Sequence, residues 1–290
     1  MKFKVKSALP RSEAIKLAGA IYKYQYAMTE NAGGIRDWND MKILEYLHKN
    51  FLPDWPPDRL ISQAQDFFNS DKLPLLNLVP VKIKTGGSGK ISSVDPKTKI
   101  PVATSHAGMD LPINDCWAKF ERSYQLLLQS IERADFDIFL DSLSAGRASI
   151  ESYLNMKAYL LNEENKSKNL PPVITRKEIE RNSINTKILK WPEKLTGKPG
   201  RITEGCIEFI CWKRLKKLRD EMATHPKGPR ETPSPHEFLN LLNSYRYGIA
   251  GLLMQLHKSF DDSIHFILIC ASFFPQIELV ADNEERILSK

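Results

Sequence analysis

Arg219 and His225 are the residues of this 290-residue chain whose types and spacing best suit a chemical step. A guanidinium is permanently charged and offers a planar fork of N–H donors that fits phosphate oxygens. An imidazole titrates near neutrality. It can take the proton of a ribose 2′-hydroxyl or return one to a departing 5′-oxygen. The pair suits phosphodiester chemistry. In an unbroken α-helix, however, six steps of about 100° leave two side chains roughly 120° apart. Pro226 changes that expectation, because it cannot continue a helix and biases His225 toward an extended backbone. The imidazole can then turn toward a cleft at the helix end. A competing reading is electrostatic. Among Lys213, Arg214, Lys216 and Lys217, Arg219 could be a solvated residue placed favourably at the negative end of the helix dipole, and His225 likewise.

The elements that must position this pair are legible from periodicity. Trp117, Phe120, Tyr124, Leu127 and Ile131 recur at spacings of three and four, which predicts a helix with one buried face and Asp115 as its cap. A second, long helix begins near Asp135 and carries Phe136, Phe139, Leu140, Leu143, Ile150, Leu154 and Leu161, with Gly146 inside it. A third starts near Thr203, runs through Ile207, Ile210, Cys211, Leu215, Leu218 and Met222, and stops before Pro226. Ser234-Pro235-His236-Glu237 combines a capping box with proline at the first helical position. The fourth helix follows it through Phe238, Leu241, Leu242, Tyr245, Ile249, Leu252, Leu253 and Leu256. The apolar run from Phe266 to Phe274 fits a strand or a further buried helix.

Between the second and third helices lies a basic, proline-bearing insertion near 163–202. The capping box Thr175-Arg176-Lys177-Glu178 predicts one short helix there, to about Leu189. Arg176, Lys177, Arg181, Lys187, Lys190, Lys194, Lys198 and Arg201 make it the densest positive stretch. With Lys213 and Lys217 it could guide an RNA backbone, Trp191 stacking on a base. It could equally be an exposed loop kept soluble by charge.

The first 110 residues are less regular. Helices are expected from Ser12 through Ile15, Ala18, Ile21 and Tyr22, from Asp40 through Ile43, Leu44 and Leu47, and around Leu60 to Phe68. Pro53, Pro56 and Pro57 interrupt them. The alternating Val79–Lys84, the Gly-rich Thr85–Lys90 and the run Ile91–Val94 predict a hairpin or a flexible arm. A phosphate-binding loop needs Gly-x-x-x-x-Gly-Lys followed by Ser or Thr. Two residues separate Gly86 from Gly89 here, Gly87 and Ser88, and Ile91 stands where the hydroxyl should be. The expected fold is therefore all-α: a helical bundle over 111–290 behind a mostly helical region over 1–110.

A net charge of +7 favours a polyanionic partner, and 42% apolar residues are enough for a packed core. Cys116, Cys206, Cys211 and Cys270 form no Cys-x-x-Cys pair and no zinc-site spacing with the six histidines, so no metal or cofactor is expected. His106, His236 and His257 have no partner spacing. The polar start, Met1 to Lys6, has no apolar segment after it, and no run reaches the roughly 20 apolar residues of a membrane span. These features predict a cytoplasmic protein without a membrane partner.

The segment Arg219-Asp220-Glu221-Met222-Ala223-Thr224-His225 resembles the Arg-x(4–6)-His signature of the HEPN superfamily, with a polar residue directly after the arginine. Ile150-Glu151-Ser152-Tyr153-Leu154-Asn155 is similar to the acidic-then-polar second helix of many members. The resemblance covers roughly 115–260 and implies a four-helix bundle with the motif at the end of its third helix. It further implies a homodimer in which two Arg219/His225 pairs share one cleft. Such members are hydrolases of RNA, found in toxin–antitoxin and antiviral defence systems. They act without metal: the 2′-hydroxyl attacks the adjacent phosphate and leaves a 2′,3′-cyclic phosphate. His225 would be the general acid or base, Arg219 would stabilise charge on the phosphorane, and Asp220 and Glu151 would support them. An antitoxin or regulatory protein would be a further partner. Members controlled by nucleotidyltransferase antitoxins carry tyrosine two residues after the histidine; this chain has Lys227. A non-catalytic helical module that dimerises and binds RNA or protein is the alternative, and Glu151 could simply pair with Arg147 one turn before it.

Overall fold

The computed structural model describes residues 2–5, 10–26, 39–50, 53–69, 93–94, 101–102, 115–224, 232–260, 262, 266–272 and 277–280. Strand β1 (Lys2–Val5) opens the chain. Apolar residues at helical spacing then give α1 (Arg11–Tyr26), α2 (Asp40–Asn50) and α3 (Pro57–Asn69). Leu17, Ala18, Ile43, Leu44, Leu47, Leu60 and Ile61 are buried where these three helices meet. Gly19 lies so close to α2 that a Cβ there would sit 2.5 Å from the Asp40 Cβ. A short antiparallel pair follows, β2 (Ser93–Val94) with β3 (Pro101–Val102). Of the stretch expected to form a hairpin or a flexible arm, residues 79–92 lie outside the described residues, and Ser93 and Val94 pair with Pro101 and Val102 beyond it.

Asp135 sets the corner of a long helical hairpin formed by α4 (Asp115–Arg133) and α5 (Phe136–Ser167). Ala134 turns the chain with a positive φ of 50°, and the Asp135 carboxylate accepts the Ile138 N–H at 3.1 Å, capping α5. Along one seam the two helices meet through small polar residues. Ser123 Oγ donates to the Ser142 carbonyl (2.7 Å), Ser142 Oγ returns a bond to the Ser123 carbonyl (2.8 Å), and Ser149 Oγ donates to the Cys116 carbonyl (3.0 Å). Each buried hydroxyl has a partner, so close approach carries no desolvation penalty for an unpaired group. Gly146 completes this seam, since a Cβ there would stand 2.7 Å from Ile249 Cγ2 and 2.9 Å from Ser123 Oγ.

The insertion is folded, and it holds two helices where the sequence suggested one. The Thr175 capping box starts α6 (Arg176–Arg181), which ends at Asn182; Ser183 then caps α7 (Ile184–Thr196). Ile184, Ile188 and Trp191 are buried, and Asn162 of α5 pins the approach by bonding both the carbonyl (2.6 Å) and the N–H (3.2 Å) of Ile174. Lys194 on α7 reaches Glu178 on α6 at 2.5 Å.

Helix α8 (Ile207–Arg219) starts later than expected, with Cys206 as its cap, and widens into a π-helical turn over Asp220–Thr224. After the Ser234 cap, α9 (Pro235–Tyr245), a second π-helical turn (Arg246–Gly251) and α10 (Leu252–Ser259) form one rod. That rod crosses α8 at Gly248, where a Cβ would lie 2.9 Å from backbone atoms of Cys211 and Trp212. Tyr245 reaches across to the α4–α5 seam, its hydroxyl 2.8 Å from Ser123 Oγ.

The apolar run near the end is a helix, α11 (Phe266–Ser272), not a strand. Strand β4 (Ile277–Val280) follows and pairs antiparallel with β1, Lys2 facing Val280 and Val5 facing Ile277. The described residues are therefore predominantly helical, with two small β pairs. The β1–β4 pair joins the two regions that sequence separated at residue 110, and Phe3 packs edge-on against Phe238 at 5.2 Å. Among the described residues no helix is long and apolar enough to cross a membrane.

Candidate functional site

Arg219 stands where α8 gives way to the π-helical turn, 16% exposed at its side chain. Its Nη1 donates to Asp220 Oδ1 at 2.7 Å, and its Nε reaches Ser144 Oγ on α5 at 3.4 Å. Among the described residues Nη2 has no hydrogen-bond partner. The other oxygen of Asp220 takes a bond from Lys216. Burial alone would raise the Asp220 carboxyl, but the hydrogen bonds from Lys216 and Arg219 outweigh it and hold the carboxyl below its usual range. The result is a carboxylate that stays ionised and holds the guanidinium in one orientation.

His225 and Pro226 lie outside the described residues. What leads up to them is clear: Met222, in the π-helical turn, lines a hollow of about 340 Å³ with Arg133, Asp135 and Asp137 at the α4–α5 corner. A π-helical turn between Arg219 and residue 225 was not foreseen. It replaces the regular turn on which an angular argument from helix geometry rests, and such turns recur at functional positions.

Glu151 is brought into a different contact. It lies 3.2 Å from Lys187 Nζ and 3.9 Å from Arg147 Nη2. Lys187 is 2% exposed, donates also to Asn155 Oδ1 at 3.0 Å, and sits 5.1 Å from the centre of the Trp191 ring. Both sequence expectations for this pair change. Lys187 is not presented to a nucleic acid, because its ammonium is consumed beneath α7 by Glu151 and Asn155. Trp191, 1% exposed, is part of the core and not a surface for base stacking. Glu151 anchors the insertion to α5. Its face of the helix is nevertheless that of Ser144, seven residues and about 10 Å earlier along the axis.

The remaining basic candidates are exposed. Arg176 is spent on Glu180 at 2.8 Å, while Lys177 and Arg181 lie one turn apart on α6 with no ion pair among the described residues. Lys213 and Lys217 line an open groove of about 340 Å³ between α7 and α8, with Asn185, Lys216, Asp220 and Glu221. Ser144 and Asn185 were not picked out from sequence. The available signal was Ser144 at seven positions before Glu151, which puts both on one helix face.

Of the histidines, His236 is exposed, and His257 is buried with its ring stacked 4.1 Å from that of Tyr153; His106 lies outside the described residues. Among the described residues no cluster of His, Cys, Asp or Glu is arranged to hold a metal ion. No family model matches the chain, and no curated protein or solved structure does.

Proposed function

We propose that this protein is a metal-independent endoribonuclease of the HEPN type, working as a toxin or phage-defence effector. The observation that carries the reading is Arg219: a largely buried guanidinium at the end of a bundle helix, oriented by Asp220 and Ser144, with no hydrogen-bond partner on Nη2 among the described residues. A cation fixed in this way can meet charge as it develops on a phosphorane without reorganising first. His225, six residues on, supplies proton transfer between the 2′-hydroxyl and the departing 5′-oxygen. A homodimer places two such pairs across one cleft, and an antitoxin or regulatory protein restrains it. Asp220 positions Arg219; Glu151 holds the insertion in place.

A second reading, a helical module that binds RNA or protein without cleaving, draws support from the same residue. Two of the three guanidinium nitrogens already have internal partners, as a purely structural arginine would. The two readings separate when purified protein meets RNA in excess EDTA. Cleavage that survives chelation and falls on the order of 10²–10³-fold in Arg219→Ala, with a comparable loss in His225→Ala, supports the enzyme. Cleavage unchanged in both variants, or abolished by EDTA, sinks it.

A further inference from the structure

The groove between α7 and α8 has a charge arrangement that the cleavage reading does not use. Lys213, Lys216, Lys217 and Asp220 recur at spacings of three and four, so they share one side of α8 and its π-helical continuation. Lys213 to Lys217 spans about 6 Å of helix axis, a length that suits neighbouring phosphates of one strand. Asn185 forms the opposite wall. Its carbonyl oxygen accepts the Trp212 indole N–H at 2.9 Å, which leaves its amide N–H groups to donate.

In the free protein the groove is partly neutralised from within. Lys216 is bound to Asp220, and Lys217 lies 3.9 Å from Glu221. Lys213 has no carboxylate partner among the described residues; its ammonium lies 5.4 Å from the centre of the Phe209 ring. Asp220 is shared, one oxygen with Lys216 in the groove and the other with Arg219. A ligand anion that takes Lys216 therefore leaves Asp220 to Arg219 alone.

We propose that this groove receives the phosphodiester backbone of a polynucleotide through Lys213 and Lys216, and that Asp220 is the counter-charge which the backbone displaces from Lys216. The assignment deepens the nucleic-acid reading above and rests on it. It links occupancy of the groove to the orientation of Arg219 through one carboxylate. A nucleic acid suits the groove better than an anionic membrane does. The groove is lined by lysines, an asparagine and two acids, with none of the exposed apolar residues that enter a bilayer surface.

The probe is a short, fully 2′-O-methylated RNA, which cannot be cleaved through a 2′-hydroxyl, so that anisotropy reads binding apart from chemistry. Lys213→Ala and Lys216→Ala should each weaken binding and flatten the slope of log K against log salt by about 0.7. Asp220→Asn should tighten binding several-fold while slowing cleavage, a split that a merely structural carboxylate would not produce. Unchanged slopes in both lysine variants overturn the proposal, as does weaker binding in Asp220→Asn. So does loss of binding to phosphatidylserine vesicles in Lys213→Ala with RNA binding intact. The expected binding results without any cleavage by the wild type would keep the groove and remove the nuclease. Cleavage with unaltered salt slopes would do the reverse.

Discussion

Ser142 and Ser144 lie two residues apart on α5 and belong to two regions built on opposite principles. Ser142 faces the α4–α5 seam, fully buried, in reciprocal bonds with Ser123 that extend to Tyr245. Ser144 donates back to the Leu140 carbonyl at 3.0 Å and meets Arg219 at 3.4 Å in a half-open setting. In the seam every polar atom is closed off by another, and the low dielectric makes each bond count toward a single packing. At the end of α8 the charges are partly paired and reachable, so their energy depends on what approaches from solution. The contrast separates residues that define the fold from residues free to take a ligand.

The sharpest way to break the comparison is at the sealed side. Gly248→Ala places a Cβ 2.9 Å from backbone atoms of α8, which cannot yield as a side-chain tip does. It should destabilise the protein by about 3 kcal/mol in urea titration, and a neutral effect would mean that the crossing is looser than described. Next comes the serine pair. Ser142→Ala should cost about 1–2 kcal/mol, because the Ser123 carbonyl loses its side-chain donor in the interior. Ser144→Ala should cost less than about 0.5 kcal/mol while disturbing cleavage through Arg219. Equal stability losses would erase the distinction between the two regions.

The smallest effect concerns the insertion. Glu178 is lowered from 4.5 to about 2, first by the Lys194 hydrogen bond and then by bonds from Thr175 that close the capping box. A depressed carboxyl stabilises the folded state above its unfolded value and stops doing so as pH falls through its folded one. The stability difference between wild type and Glu178→Gln should therefore be constant above about pH 4.5 and vanish toward pH 2. A difference that persists below pH 2 would assign the effect to something other than this titration.

Much of the frame was legible. Thr175 and Ser234 cap helices as their side chains predict, and Phe120, Leu127 and Ile131 of the α4 stripe are buried with Trp117 and Tyr124 half-buried beside them; Asp115, expected as the cap, is the first residue of α4 itself. What escaped has physical causes. Periodicity counts serine and glycine as exposed, so the Ser123–Ser142–Gly146–Ser149 seam was invisible to it. Local sequence makes Lys187 a surface cation, because a lysine is buried only when partners exist, and Glu151 and Asn155 lie more than thirty residues away. Asn182 and Ser183 split the insertion into two helices where one capping box suggested a single segment. The β1–β4 pair joins the two ends of the described chain, beyond any local signal. For the candidate site, Arg219 and Asp220 were visible as a motif, and Lys216 stands at i,i+4 spacing before Asp220; Ser144, which meets Arg219, came from the packing of α5 and α8.

One measurement bears most directly on the central claim. An RNA carrying a single 2′-deoxy nucleotide on the 5′ side of a mapped cleavage site should be tested beside its all-ribose counterpart, in EDTA, with products weighed by mass spectrometry. The account predicts 2′,3′-cyclic phosphate ends from the all-ribose strand and no cleavage at the substituted position. Cleavage that persists there, leaving a 5′-phosphate, would contradict it.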